Sequence, residues 1–83
     1  MYNIENLTIE DLIFLEGCIY FYKERITDEI IECQIRINKA TKEDNIENFK
    51  IYSQLLETNQ ATEVKCKCMI DLIENIKKNN KIN

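Results

Sequence analysis

Apolar residues step along this chain by threes and fours in two long runs. In the first, Leu12, Leu15, Ile19, Tyr22, Ile26, Ile30, Cys33 and Ile37 follow one another at helical spacing. At ~100° per residue they form one stripe roughly a third of the circumference wide, so the pattern predicts an amphipathic helix over 9–38. In the second, Ile51, Tyr52, Leu55, Cys66, Met69, Ile70, Ile73 and Ile76 predict a helix over 42–78. Both starts carry the same punctuation. Thr8 and Thr41 are each followed three residues later by an aspartate, Asp11 and Asp44. A Thr-x-x-Asp step lets the hydroxyl accept a free backbone N–H, while the carboxylate reaches back to the cap and suits the positive end of the helix dipole. Leu7, just before the first cap, is placed to pack on Leu12 as a hydrophobic staple.

With no proline and one glycine, only the Asn38-Lys39-Ala40 join separates the runs. The expected fold is all-α: a single domain over 1–83, with a lead-in at 1–7 carrying Ile4 and Leu7, helix one, helix two, and a tail at 79–83. The helices would be roughly 45 and 55 Å long and fold back as an antiparallel hairpin. The charges suit that arrangement, since Glu5, Glu10, Asp11 and Glu16 open helix one while Lys77, Lys78 and Lys81 close helix two. The stretch Thr58-Asn59-Gln60-Ala61-Thr62 is poor in helix formers. Helix two is expected to run through it; a break there would make three helices.

A second apolar stripe changes the picture. Helix one also carries Ile9, Ile13, Tyr20, Phe21, Ile31 and Ile35 on its other side, with Gly17 among them, and helix two carries Ile46, Phe49, Leu56, Val64, Cys68 and Leu72. One hairpin partner covers one stripe, not two. The economical solution is a homodimer or higher homo-oligomer, a helical bundle in which each hairpin covers the other's second stripe. The residues expected at that interface are Ile13, Gly17, Phe21, Ile31, Ile35, Phe49, Leu56 and Val64. The short chain reinforces the expectation, because a lone hairpin buries little surface against its chain entropy.

The net charge of −4 and pI near 4.8 argue against general nucleic-acid binding. Five lysines close the chain (Lys65, Lys67, Lys77, Lys78 and Lys81), but no aromatic rings are interleaved with them for base stacking. No apolar run is long enough for a membrane span, and Met1 to Glu10 carries acids and no Lys or Arg. A cytoplasmic location is expected. Fifteen Ile, ten Asn and nine Lys reflect AT-rich codons, pointing to a low-GC bacterium or a phage or plasmid within one.

The absence of histidine removes the commonest general base and metal ligand, and a single glycine excludes phosphate-binding loops and nucleophile elbows. Cys66-x-Cys68 invites a zinc site completed by Cys18 and Cys33. On a helix, however, residues two apart point about 200° from each other. In a hairpin turning near residue 40, Cys18 comes level with about residues 62–66, whereas Cys33 faces about residue 47, some 20 Å along the axis. No metal, cofactor or catalytic set is therefore expected, and the thiols are read as apolar fillers, with Cys18 and Cys66 the one neighbouring pair. Asn59 falls on the apolar stripe of helix two, where an amide either fixes register or marks a kink. Glu24, Asp28 and Glu32 repeat every four residues and form a candidate face for a basic partner.

The segment Ser53-Gln54-Leu55-Leu56-Glu57 loosely resembles the Ser-Gln-Glu-Leu-Asp motif of the Spo0E-like aspartyl-phosphate phosphatases, small two-helix hairpins of low-GC Gram-positive bacteria. The resemblance covers five residues. Leu55 stands where the motif has its acid, Glu57 stands for its final Asp, and the segment falls in mid-helix, so the chain is not placed in that family. The expected function is steric: a small self-associating helical protein that binds another protein, in the manner of a phage- or mobile-element-encoded inhibitor or regulator. The alternatives are the carboxylate-based phosphatase and a nucleic-acid-binding regulator acting through the lysine-rich end.

Overall fold

A computed structural model describes residues 7–81, and within them two helices: α1, Ile9–Lys42, and α2, Ile46–Lys81. They pack antiparallel as a rod of 60 × 21 × 15 Å. The lead-in up to residue 6, with Ile4 and Glu5, and the last two residues of the expected tail lie outside the described residues.

The start of α1 follows from Thr8. Its hydroxyl accepts from the Asp11 N–H at 3.1 Å, and its own N–H donates to the Asp11 carboxylate at 3.0 Å, closing a reciprocal capping box. Leu12, one residue further on, is the most deeply buried side chain at 1 % exposure, and Leu7 is half-buried.

The turn is not where Thr41-x-x-Asp44 points. α1 runs through Asn38-Lys39-Ala40 without interruption, and Thr41 sits inside it with its hydroxyl bonded back to the Ile37 carbonyl at 2.9 Å. The helix ends in a Schellman motif: the Asn45 N–H donates to the Ala40 carbonyl at 2.9 Å and the Asp44 N–H to the Thr41 carbonyl at 3.3 Å. Asp44 takes the left-handed conformation, with φ of 54°, that glycine usually supplies there. Asn45 then caps α2, its side-chain oxygen accepting from the Asn48 N–H at 3.1 Å. The physical reason for the shift is Ala40. It is a strong helix former and is buried at 4 % exposure, so extending α1 by one turn adds a core position that an earlier stop would forfeit. Thr8→Ala and Asn45→Ala are each expected to cost about 1 kcal/mol in thermal or urea unfolding, and Thr41→Ala only a few tenths. A full-sized loss at Thr41 would return the cap to that residue.

Burial recurs every seventh residue. Leu12, Ile19, Ile26, Cys33 and Ala40 form one column on α1, flanked by Glu16, Lys23, Ile30 and Ile37; on α2, Tyr52, Asn59, Cys66 and Ile73 are flanked by Leu56, Glu63, Ile70 and Lys77. A seven-residue repeat on two antiparallel helices is the left-handed coiled-coil arrangement. α2 passes unbroken through Thr58–Thr62. The hydroxyls of Thr58 and Thr62 fold back onto the carbonyls of Gln54 and Thr58, and Asn59 is buried, so the weak formers are held by local bonds and packing. The expected tail at 79–83 is helical as far as Lys81.

Candidate interaction surface

Among the described residues, four side-chain polar contacts join α1 to α2; three lie along the seam, and the fourth, Arg36 Nη1 donating to the Tyr52 hydroxyl at 3.4 Å, lies near the turn. The Lys77 ammonium donates to Glu16 Oε1 at 3.0 Å, Thr27 Oγ1 donates to Glu63 Oε2 at 2.8 Å, and Asn59 Nδ2 points at Cys33 Sγ at 4.0 Å. The Glu16–Lys77 pair is largely out of water, with side chains 14 % and 21 % exposed, and Glu16 Oε2 is buried with no partner among the described residues. Asn59 is therefore a seam residue, not a solvated kink. Cys33 faces it rather than residue 47: the facing position slides two residues for each residue the turn moves, and this pairing centres the hairpin about six residues beyond residue 40.

Near the turn, Arg36 donates to Glu32 at 2.9 Å and lies 5.4 Å from the centre of the Tyr52 ring. Tyr52 first and Glu32 second push the guanidinium pKa above its ordinary value.

The thiols do not converge. Cys33 and Cys66 are buried, whereas Cys18 and Cys68 are exposed. Cys18 and Cys66 line one apolar groove of about 340 Å³ with Leu15, Ile19, Tyr22 and Met69. Cys66 lies one seven-residue repeat beyond Asn59 and so shares a layer with Ile26; Cys18 is then roughly 12 Å away along the axis. Among the described residues, no group of three or more His, Cys, Asp or Glu is arranged to hold a metal ion.

What the hairpin leaves uncovered is extensive. Of the residues expected at an oligomer interface, Ile13, Phe21, Ile31, Ile35, Phe49 and Val64 are all exposed, Phe21 at 66 %. Leu56 is different: it lies in the seam column with Ile70 and is half-buried within the hairpin. Gly17 faces open space, since a Cβ built on it meets nothing within 4 Å.

The structure adds residues that periodicity had assigned to the covered stripe. Leu15, Tyr22, Ile51, Leu55 and Met69 flank the seam and stay exposed, because two helices touch along a line narrower than the stripe. Phe14, assigned to neither stripe, is the most exposed large apolar side chain among the described residues, at 70 %. The signal that identifies this region is composition. From Leu12 to Tyr22 the only charge is Glu16, and it is turned inward onto Lys77.

The acidic ladder is on the surface. Glu24 and Asp28 line a shallow concavity with Tyr20, Lys23 and Thr27, while Glu32 is engaged by Arg36. Ser53 to Glu57 lies within α2, with Leu55 exposed where the resembled motif has an acid. No helix among the described residues is long and apolar enough to cross a membrane. Comparison of the chain with protein-family models, curated proteins and solved structures finds no match.

Proposed function

We propose that this chain is a non-catalytic helical module that self-associates and acts by binding another macromolecule, in the manner of a small steric inhibitor or regulator. The observation that supports this most is the collar of α1 from Leu12 to Tyr22. A helix segment apolar on all sides belongs in an interior, yet α2 covers one side and leaves Ile13, Phe14, Tyr20 and Phe21 in water. A contiguous patch of that kind marks an interaction surface. Self-association covers it, and the carboxylates of Glu24, Asp28 and Glu32 offer the chain a face for a basic partner.

Light scattering on the unmodified chain at micromolar concentration is the deciding measurement, with an oligomer expected. Phe21→Glu and Ile35→Glu are each expected to split it and to lower the unfolding midpoint together, because folding and assembly are coupled in a small bundle. A stable 9.9 kDa monomer would sink this reading.

A further inference from the structure

We propose that two copies of this chain pair through the outer stripe of α1, antiparallel, with Gly17 of one copy receiving Ile35 of the other and Phe21 meeting Ile31. The inference rests on the self-association proposed above and gives it a geometry. Its first support is spacing. The outer positions Gly17, Phe21, Glu24, Asp28, Ile31 and Ile35 follow one another by four, three, four, three and four, a series that reads the same from either end and continues by three to Phe14 and Asn38, which meet in the same register. A two-fold axis across the middle of α1 therefore matches the stripe to itself, which an interface between identical copies requires.

Charge selects the direction. α1 has Glu10 and Asp11 in its first turn and Lys39 and Lys42 in its last. Parallel pairing sets like against like, whereas the antiparallel register sets Glu10 against Lys42 at both ends. Shape agrees as well. Gly17 weakens a helix interior and nothing inside the hairpin uses its missing side chain, but its open space accepts a branched residue from outside. The corresponding outer stripe of α2 alternates Glu47, Gln54, Ala61, Cys68 and Asn75 with Lys50, Glu57, Val64, Asp71 and Lys78 and holds Val64 as its one large apolar side chain, so α1 has the larger outer apolar face to cover. In this register Glu24 meets Asp28. The middle of the seam stays wet and its carboxylates repel, which favours a dimer that dissociates and gathers the acids of both copies at its centre.

The test is a pair of swaps read by sedimentation velocity, with helicity checked by circular dichroism. Gly17→Leu fits the open space within the hairpin but collides with Ile35 across the axis, so the dimer dissociation constant is expected to rise roughly tenfold or more. Ile35→Ala also weakens the dimer, and combining the two recovers most of the loss. Glu10→Lys and Lys42→Glu each weaken it about two- to fivefold, and the double reversal restores it. Additive losses in either pair overturn this geometry while leaving self-association standing. An unmodified chain that stays monomeric at about 100 μM overturns both.

Discussion

Replacing Ile26 with alanine is expected to remove about 2–5 kcal/mol of folding free energy and, in so small a protein, to leave much of the chain unfolded at room temperature. Ile26 is 5 % exposed, and the buried apolar set it belongs to is short: Leu12, Cys33, Ala40, Cys66, Ile70 and Ile73 are its companions. Two of the seven are cysteines and one is alanine, so the larger aliphatic side chains carry most of the apolar burial. Ile26 also lies in the middle of the seam, where the hairpin ends cannot fray to relieve a cavity. Urea titrations followed by helical circular dichroism, at two protein concentrations to separate folding from assembly, measure the loss. A change below about 1 kcal/mol would mean that the seam is not the core of the fold.

The second large effect concerns the ion pair at the open end. Lys77→Ala is expected to cost about 1–3 kcal/mol, less than the full cost of breaking a completely buried pair because both partners keep some contact with water. The loss arises from what remains. Glu16 would keep a carboxylate whose Oε2 is already buried without a partner among the described residues, and Oε1 would join it. Replacing both residues with leucine is expected to be neutral or stabilising by up to about 4 kcal/mol, since the desolvation of both charges disappears. If the double variant is as damaged as Lys77→Ala, the pair is worth more than its desolvation costs. Equilibrium unfolding of Glu16→Leu, Lys77→Leu and the double variant closes this cycle.

Much of the hairpin is legible in local chemistry. Thr8 and Asp11 identify the start of α1 because a capping box is closed within four residues and needs no tertiary partner. The turn is less legible for the opposite reason. Thr41-x-x-Asp44 has the same local signature, but Ala40 gains burial against α2, and that gain lies outside any local window. Asn59 shows the same limit: its amide is acceptable inside the seam only because Cys33 stands across from it. The candidate surface divides along the same line. Ile13, Phe21, Ile31 and Ile35 can be read as a second stripe from spacing alone, whereas Leu15, Leu55 and Met69 required knowing how narrow the contact between two helices is.

The turn at Glu43-Asp44-Asn45 also decides the phase of the whole rod. Moving it back to Thr41, where a second capping signal is written, would slide α2 past α1 by one seven-residue repeat. Apolar groups would match about as well: Leu12 would meet Ile73, Ile30 would meet Leu56, and Lys23 would gain Glu63 as an ionic neighbour. What that slipped partner exchange loses is Lys77, leaving Glu16 against Ile70, and the amide of Asn59 would face Ile26 in place of a polarizable sulfur. Apart from Ala40, the apolar positions are thus nearly indifferent between two alignments, and the discrimination falls on that residue's burial together with one ion pair and one amide. A hairpin built this way has a second apolar match one repeat away, and Ala40 and the polar minority are what set it against that alternative.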